Sequence, residues 1–502
     1  MNVIIRAHCF NGSVRVPASK SHTIRRLLIA ALAEGVSQIE YPLDSLDARS
    51  CVSVCKTLGA QITEHRGIDP TSPNPEDEKG EKLLRWTVRG IGHGGAQSPA
   101  QPAGVPRRCD VGNSGTTLFL ALAAAALGKE PVEFDGDEQI RRRSAGPLLD
   151  ALAGLGVRVS SAASGCAPII VQGPWKGGRV SLSCPTSQYL SAILMAAPLA
   201  PEGVVTEIDI PLLNEKPFIE MTLSYLDSQG IPYEAAPDFS YFRIPGGSIW
   251  EPLSGPVPAD FSSAAFPAAA AAISGGPVML LGLDPDDTQG DKAFFGFLEK
   301  MGCRVKWEQV PLEQVSLEQV PLKQVSGTQV HLGPVVPDEL QTLRVQAAEL
   351  YMAEWQLTVS RPGPLAGREF DLNATPDLLP ALAAVACYAR GDTALVNVAH
   401  ARLKETDRIA VMAEELAKLG VKTTERPDGL VIHGTGRISK KADEIERIRD
   451  KRLKTDGRGD HRVVMALAAA ALGCPVPVEI AGAESASVTY PGFLELLEAD
   501  PV

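Results

Sequence analysis

The chain has 502 residues, of which 44% are hydrophobic and 22% are charged, as in ordinary globular proteins. Its length suits about three average domains or two large ones, and its 46 Gly and 39 Pro residues exclude collagen-like and wholly disordered chains. The formal net charge of −12 disfavours nucleic acid or anionic lipid as the main partner, so an anionic substrate would need a local concentration of positive charge.

The chain opens with a β-prone segment, Val3 to Ala7, and then repeats one helical pattern six times. Each copy is an apolar helix rich in Ala and Leu that ends at a Gly, as buried helices with a C-terminal cap do. In chain order, the copies end at Gly35, Gly128, Gly203, Gly275, Gly391 and Gly473.

A second pattern follows each of the first five copies: an amphipathic helix, then a Gly, then a β-prone residue. These glycines are Gly59, Gly156, Gly230, Gly302 and Gly420. The sixth copy, PGFLELLEADPV, stops before its Gly and strand. One strand is therefore missing from the last unit, and we expect the N-terminal strand to supply it.

Six α/β units of this size favour two domains of three units each. We expect one domain to span residues 19–255 and the other to combine residues 1–18 with 256–502, so that the chain crosses between them twice. Low-complexity inserts interrupt the pattern near residues 66–107 and near 304–335. Because surface loops tolerate insertion at little energetic cost, we expect both inserts to have no catalytic role.

The nine cysteines form no Cys-x-x-Cys pair, which predicts reduced thiols and no structural metal site. The N-terminal segment lacks the basic flank and apolar stretch of a signal peptide. The longest uncharged span, between Asp260 and Asp284, is interrupted by Pro and Gly. Together these features predict a soluble cytoplasmic protein.

Polar motifs stand immediately before the predicted helices rather than on their faces. Before the apolar helices they are SKSHT (19–23), GNSGT (112–116), TSQ (186–188), DFSS (260–263), PD (376–377) and DHR (460–462). Before the amphipathic helices they are GDEQIRRR (136–143), NEKPF (214–218), TQGD (288–291) and KETDR (404–408).

Helix N-termini carry unpaired N–H groups and partial positive charge, so converging termini would form an anion-binding cleft. Any one motif can equally be a simple N-cap, since Ser, Thr, Asp and Asn are the preferred caps. The basic residues beside the motifs favour the anion site, because a cap needs no cation. They are Lys20, Arg25, Arg143, Lys404, Arg408 and Arg462.

Taken together, these segments resemble the 5-enolpyruvylshikimate-3-phosphate synthase family of enolpyruvyl transferases over nearly the whole chain apart from the inserts. GNSGT alone is a weak signal, whereas KETDR and DHR at these offsets within a sixfold repeat are specific. The resemblance implies an α/β fold of two domains, each made of three βαβαββ units with buried helices, joined by a double crossover.

The resemblance also implies a reaction. The enolpyruvyl group of phosphoenolpyruvate would be transferred to the 5-hydroxyl of shikimate 3-phosphate, with release of phosphate, by addition and elimination between the two domains. It implies no metal and no organic cofactor. The expected partners are the two substrates, with no nucleic acid or membrane, and the expected state is a monomer.

Two alternative functions stay open at this point. The sister transferase that uses UDP-N-acetylglucosamine would show Lys-Asn near its start and a reactive Cys on a mobile loop, but this chain has Lys20-Ser21 and no Cys between Gly136 and Arg143. A non-catalytic binder of phosphorylated metabolites would not need the acid/base set that Asp377 and Glu405 provide.

The resemblance assigns catalytic roles to three residues. Asp377 would take the 5-hydroxyl proton, Glu405 would lie near the enol methylene, and Lys20 would touch both substrates. The residues expected to bind shikimate 3-phosphate are Lys20, Ser21, Arg25, Thr186, Ser187, Gln188, Asp377 and Lys404. Those expected to bind phosphoenolpyruvate are Lys20, Asn113, Gly115, Arg143, Gln188, Arg408 and Arg462.

Five positions depart from the family pattern. Val488 stands where Lys is common, Phe119 where Arg is common, Glu215 where Ser is common, Phe218 where Tyr is common, and His400 where Asn sometimes occurs. The loss of one charge-assisted contact would weaken phosphoenolpyruvate binding by about 1.5–3 kcal/mol.

Four interpretations of charged residues also stay open. Glu405 with Arg408, and Asp460 with Arg462, could be ordinary surface ion pairs. His461 fits a packed hinge residue as well as a catalyst. Of the three consecutive arginines, we expect Arg141 and Arg142 to be solvated and only Arg143 to turn inward.

Overall fold

A computed structural model describes residues 1–68, 81–92, 105–310, 354–438, 452–498 and 500–501. In chain order, the helices are α1 (Lys20–Leu32), α2 (Leu46–Leu58), α3 (Gly115–Ala125), α4 (Gly146–Gly154), α5 (Gln188–Ala196), α6 (Lys216–Ser228), α7 (Phe261–Ser274), α8 (Ala293–Met301), α9 (Leu379–Ala386), α10 (Arg408–Lys418), α11 (His461–Ala471) and α12 (Phe493–Leu496).

The strands are short and lie between these helices. They are β1 (Asn2–Ile5), β2 (Gly12–Arg15), β3 (Val36–Glu40), β4 (Gln61–Gly67), β5 (Lys82–Arg89), β6 (Arg107–Asp110), β7 (Val132–Asp135), β8 (Arg158–Ser161), β9 (Ile169–Gln172), β10 (Gly178–Cys184), β11 (Val205–Leu213), β12 (Glu234–Ala235), β13 (Tyr241–Pro245), β14 (Ser254–Pro256), β15 (Val278–Leu281), β16 (Arg304–Val310), β17 (Glu354–Ser360), β18 (Leu365–Ala366), β19 (Glu369–Asp371), β20 (Ala389–Val396), β21 (Lys422–Arg426), β22 (Gly429–Thr435), β23 (Leu453–Asp456), β24 (Val478–Ala481) and β25 (Asp500–Pro501).

Within the described residues, the strands form six small sheets, one for each predicted repeat. Three repeats are continuous in the chain. β6-α3-β7-α4-β8-β9 has the sheet order β6-β7-β9-β8, and β10-α5-β11-α6-β12-β13 has the order β10-β11-β13-β12. The third runs from β18 to β22 and has the order β18-β20-β22-β21, with β19 also paired to β20. In each repeat, the strands before the first helix pair parallel with the next strand, and the remaining pairs are antiparallel. The predicted βαβαββ unit is confirmed.

Three repeats borrow a strand from elsewhere in the chain. β14 pairs parallel with β3, and β2 pairs parallel with β15, so each supplies the first strand of a distant unit. β1 lies between β24 and β25, where Val3 is opposite both Ile480 and Pro501. The N-terminal strand, Asn2–Ile5 in the structure, therefore supplies the strand that the last unit lacks, as predicted.

The buried side chains form two hydrophobic cores. One core contains residues between Ile24 and Val257, including the wholly buried α3. The other combines Val3 to Val16 with residues from Ala259 onward, including α7, of which all but the last residue is buried. The chain crosses between the cores twice, close to the predicted domain boundaries, and those boundaries stay a prediction.

The two predicted inserts fall largely outside the described residues, which omit 69–80, 93–104 and 311–353. The interval 66–107 nevertheless contains β5, which pairs with both β3 and β4. Its two stretches rich in Pro and Gly therefore flank a strand of the sheet. In the described part of the chain, no helix has the length and apolar composition needed to cross a bilayer.

Candidate active site

A cavity of about 610 Å³ lies where the N-termini of helices from both cores meet. A volume of this size is typical of small-molecule sites. Its lining includes every residue predicted for the site except Asn113, namely Lys20, Ser21, Arg25, Gly115, Arg143, Thr186, Ser187, Gln188, Asp377, Lys404, Glu405, Arg408 and Arg462. The structure thus brings together motifs that are more than 400 residues apart in the sequence.

Short polar side chains cap these helices, as the preference for Ser and Asp at N-caps predicts. Ser19 accepts from the backbone N–H of His22 at the start of α1, and Ser114 accepts from Thr117 at the start of α3. Because the caps are supplied by neighbouring residues, Lys20 and Gly115 are free to line the cavity. The cap interpretation is confirmed for Ser19 and Ser114, and the anion-site interpretation stays a prediction for the residues beside them.

Arg408 connects three carboxylates at the base of the cavity. Its Nη1 lies 2.7 Å from Asp377 Oδ1, its Nη2 lies 2.5 Å from Glu405 Oε2, and its Nε lies 2.8 Å from Asp460 Oδ2. The Arg408 side chain is only 1% exposed. The surface-pair alternative for Glu405 with Arg408 is therefore wrong, because this guanidinium is removed from solvent.

Arg462 approaches the same cluster from the start of α11. Its Nη2 lies 3.1 Å from Asp377 Oδ2, whereas Asp460 accepts only its backbone N–H, at 2.9 Å. The predicted alternative of an Asp460–Arg462 surface pair is also wrong, since the Asp460 side chain is fully buried and its ion pair is with Arg408.

Arg143 faces the cluster from the opposite core. Its Nη2 lies 3.2 Å from Glu405 Oε1, but the buried Nε and Nη2 atoms have no hydrogen-bond partner among the described residues. Buried donors without a hydrogen bond are rare in folded proteins because leaving such a donor unsatisfied is costly. Arg143 therefore brings unsatisfied donors to the lining of the cavity. As predicted, Arg141 and Arg142 are solvated, with side chains 56% and 70% exposed. The expectation that only Arg143 turns inward is wrong, because Arg142 also contributes to the lining of the cavity.

The electrostatics of this cluster keep both central carboxylates charged. Burial raises the pKa of Asp377, but Arg462, Lys404 and Arg408 outweigh it and hold the pKa well below its usual range. Burial also raises the pKa of Glu405, but Arg143 and Arg408 outweigh burial and hold this pKa well below its ordinary value. In this arrangement, neither carboxyl carries a proton at neutral pH.

Two cations of α1 lie on another wall. Lys20 Nζ is 3.2 Å from Asp47 Oδ2. Arg25 is 1% exposed and donates to neutral oxygens of Thr222 at 2.9 Å and of Ser191 and Phe218 at 3.2 Å. Because no carboxylate pairs with it in the described part of the chain, burial lowers the pKa of Arg25 to about 10. It stays charged at neutral pH and can attract an anion.

At the far end of the cavity, Glu215 takes up the donors of the 186–187 turn. Its Oε2 accepts from Thr186 Oγ1 at 3.1 Å, from Ser187 N at 3.0 Å and from Ser187 Oγ at 2.8 Å. Its Oε1 pairs with Lys404 Nζ. The sequence marks Glu215 only as a departure from the family pattern, because the direction of its side chain cannot be read from the motif.

Other residues of the lining were missed or placed differently. Thr116 accepts from Gln188 Nε2 at 3.1 Å, and its place in GNSGT was the available signal. Asn113 donates to Gln139 Oε1 at 2.8 Å, so Gln139 lines the cavity in its place. The sequence analysis includes Gln139 in the motif GDEQIRRR and assigns it no role.

The departures from the family pattern affect the cavity unequally. Phe119 lines it and packs edge-on against Tyr189, with ring centroids 5.1 Å apart. Val488 is not part of the lining. His461 is buried and also outside the lining, and burial lowers its pKa to about 3, so the ring is neutral. Packing, rather than contact with a ligand, is the role this position supports.

The fold defines the class of protein. An EPSP synthase of Acinetobacter baumannii superposes with a TM-score of 0.71 at 24% identity, covering 99% of this chain and 97% of that one. The enolpyruvyl transferase NikO of Streptomyces tendae superposes with a TM-score of 0.67 at 17% identity, with the same coverage. At these identities the likeness establishes the fold, which is that of the enolpyruvyl transferases.

Sequence comparison narrows the class to a family. The model for EPSP synthase (3-phosphoshikimate 1-carboxyvinyltransferase) matches residues 6–351 and 348–497. A 3-phosphoshikimate 1-carboxyvinyltransferase of Acetivibrio thermocellus is 42% identical over 494 residues, covering 98% of this chain and 96% of the relative. One of Ruminiclostridium cellulolyticum is 39% identical over 490 residues, covering 97% and 96%. The chain belongs to the EPSP synthase family.

Proposed function

We propose that the chain transfers the enolpyruvyl group of phosphoenolpyruvate to the 5-hydroxyl of shikimate 3-phosphate and releases phosphate. The observation that carries this proposal is the single cavity in which Arg143, Arg408 and Arg462 surround the carboxylates Asp377 and Glu405. A guanidinium matches carboxylate and phosphate groups in a bidentate way. Three of them at one place suit a small substrate that carries both groups.

The three arginines bind phosphoenolpyruvate in this proposal, with Lys20, Gln188, Gly115 and, through Gln139, Asn113 completing its surroundings. Ser21, Arg25, Thr186, Ser187, Gln188 and Lys404 bind shikimate 3-phosphate. Lys20, which also lines the cavity, contacts both substrates in this proposal. The negative net charge of the chain is no obstacle, because these cations and helix N-termini act within a few ångströms.

The chemistry needs two proton transfers at neighbouring atoms. In the addition step, the 5-oxygen of the shikimate ring attacks C2 of phosphoenolpyruvate and its proton passes to Asp377. Glu405, which takes up a proton from solvent when the substrates bind, adds that proton to the methylene carbon. In the elimination step, Glu405 removes a proton from the new methyl group, the C2–O bond to phosphate breaks, and phosphate leaves with the bonding electrons. Glu405 is thereby restored, and Asp377 returns its proton to the departing phosphate.

Binding of the substrates prepares the two carboxylates for this role. In the structure, their charges are balanced by Arg143, Arg408 and Arg462, which holds both pKa values low. Each anionic group that a substrate brings draws on the same guanidiniums and weakens their pairing with Asp377 and Glu405. The carboxyl pKa values then rise towards the range in which they can exchange protons with the substrates.

Phosphate release from phosphoenolpyruvate tests the proposal, measured with and without shikimate 3-phosphate. We expect release only when both substrates are present, and we expect Lys20→Ala to reduce it by at least about a hundredfold, within the usual range for a group that acts in the chemical step. Lys422→Ala, an exposed residue of β21, is the matched control and should turn over normally. Release without shikimate 3-phosphate, or full activity in Lys20→Ala, would contradict the proposal.

Two further expectations belong to this proposal. We infer that the enzyme works in the cytoplasm and as a monomer, since the complete set of proposed contacts comes from one chain. Size-exclusion chromatography with light scattering measures the second property directly. A stable dimer whose dissociation abolishes turnover would overturn it.

A further inference from the structure

The position of Glu215 is unusual for an acidic residue. It is 1% exposed and sits directly before α6 with φ of +60°, in the left-handed region that non-glycine residues seldom adopt. Such a conformation persists only when the surroundings hold it. Two sets of contacts hold it here. The backbone N–H of Glu215 donates to Asn373 O at 3.3 Å, and the Glu215 carboxylate accepts hydrogen bonds from its neighbours.

The carboxylate of Glu215 is saturated with donors. Oε2 accepts three hydrogen bonds, from the Thr186 hydroxyl and from the Ser187 hydroxyl and backbone N–H, at 2.8–3.1 Å. Oε1 pairs with the ammonium of Lys404. A turn that offers two hydroxyls and a backbone N–H at a helix start, with an ammonium nearby, is the kind of site that binds phosphate.

These donors are also the ones assigned above to the phosphate of shikimate 3-phosphate. A phosphate dianion cannot use them while a carboxylate does, because the two like charges would lie in contact. Burial would favour a neutral Glu215, but Lys404 outweighs it and keeps the pKa below its ordinary value, so the competing group is an anion.

We propose that Glu215 is an internal anion that occupies the phosphate position of the cavity and must leave it before shikimate 3-phosphate can bind. Glu215 is then a specificity residue that lowers affinity for the phosphate group in particular. Its displacement breaks contacts with Thr186, Ser187 and Lys404, and the phosphate restores them. This inference rests on the proposed function, because it takes the acceptor substrate from it.

The proposal separates the phosphate from the rest of the substrate. Shikimate, which lacks the phosphate, does not require Glu215 to move, so removing the carboxylate leaves shikimate binding unchanged. Removing the Glu215 carboxylate should, in contrast, increase the affinity for shikimate 3-phosphate. A merely structural role for Glu215 would weaken both ligands together, which makes the ratio of their affinities the diagnostic quantity.

The experiment measures dissociation constants by calorimetry, without phosphoenolpyruvate, for wild type, Glu215→Gln and Glu215→Ser. Glu220→Gln is the control, since it makes the same charge change on the exposed side of α6. We expect both Glu215 variants to bind shikimate 3-phosphate about tenfold or more tightly than wild type, which corresponds to about 1.4 kcal/mol. Shikimate binding should differ by less than about twofold, which is about 0.4 kcal/mol.

A second measurement guards against misfolding. Without ligand, the Glu215 variants should melt at a lower temperature than wild type, because four donors lose the charged carboxylate that they contact. On addition of about 10 mM inorganic phosphate, the melting temperature of the Glu215 variants should rise by more than that of wild type. Glu220→Gln should behave as wild type in both conditions.

Three outcomes would overturn the inference. They are unchanged or weaker binding of shikimate 3-phosphate in both Glu215 variants, a parallel change for shikimate, and an equal effect in Glu220→Gln. Because binding is measured without turnover, failure of the proposed function is distinguishable. A wild type that binds shikimate 3-phosphate but releases no phosphate contradicts the function alone, whereas a wild type that turns over with unimproved variants contradicts the inference alone.

Discussion

A methyl group added at Gly115 would place its carbon 2.4 Å from Nη1 of Arg143. Non-bonded atoms cannot approach this closely, so Gly115→Ala displaces the guanidinium, whose buried donors have no hydrogen-bond partner in the described part of the chain. The absence of a side chain at this position is thus what lets Arg143 lie across the start of α3.

We expect Gly115→Ala to raise the Michaelis constant for phosphoenolpyruvate about 10- to 150-fold, the value of one charge-assisted contact of about 1.5–3 kcal/mol, and to weaken bulkier phosphonate mimics more. Steady-state kinetics with each substrate varied in turn measures it. Gly296→Ala in α8 is the control, because its added carbon would meet no atom within 4 Å. Equal Michaelis constants in mutant and parent would show that Arg143 does not bind phosphoenolpyruvate.

Arg408→Ala should destabilise the fold as well as abolish activity. It would leave Asp377, Glu405 and Asp460 without their shared partner, and breaking a buried ion pair in this way costs about 3–5 kcal/mol. Urea denaturation measures the loss. Arg179→Ala is the comparison. That arginine makes two 2.8 Å contacts with Asp209 at the surface, where solvent screens the ion pair, so its loss should change stability far less. Similar losses in the two variants would mean that the Arg408 cluster is solvated.

His461 predicts a dependence of stability on pH. Burial lowers its pKa from 6.5 to about 3 in the folded chain, so the unfolded chain binds more protons between these values. Stability from this residue is complete above pH 6.5 and is lost as pH falls, with a slope of up to about 1.4 kcal/mol per pH unit. We expect His461→Gln to flatten the fall in the free energy of unfolding between about pH 6 and 5. Parallel curves for variant and parent would show that the ring is solvated.

Arg25→Lys tests whether a bare positive charge is enough on the α1 wall. A single ammonium cannot reach Thr222, Ser191 and Phe218 as the guanidinium does, so it would be held less firmly. We expect the Michaelis constant for shikimate 3-phosphate to rise about tenfold, or 1.4 kcal/mol, with little change for phosphoenolpyruvate. Equal effects on both substrates would indicate a general loss of structure.

The sequence predicted the architecture well because the architecture is repetitive. Six helices rich in Ala and Leu can only be buried, and counting strands was enough to assign the N-terminal strand to the last unit, where Asn2–Ile5 pairs with Val478–Ala481. The convergence of SKSHT, KETDR and DHR followed from the same logic, since equivalent positions of equivalent units face the same way. The segment containing Lys82–Arg89 was obscured because low-complexity stretches surround a single strand.

Side-chain partners inside the cavity could not be predicted in this way. Several carboxylates and arginines lie close together in the sequence motifs, so the motifs allow more than one pairing. The packing of the side chains is what pairs the Asp460 carboxylate with the Arg408 guanidinium rather than with that of Arg462. Glu215 likewise required knowledge of the backbone at φ +60°, which directs its carboxylate at the 186–187 turn. A repeating sequence pattern indicates the order and position of helices and strands, whereas these side-chain contacts depend on which rotamer each residue adopts.

The placement of β1 between β24 and β25 has a consequence for biosynthesis. Residues 2–5 are translated long before either of their neighbours in the sheet, which lie at residues 478–481 and 500–501. The core that contains residues 24–257 can assemble while translation continues, whereas the other core must wait with one sheet incomplete until residues 478–501 emerge. A bulky domain fused directly before β1 would burden this late step and should lower the yield of native protein.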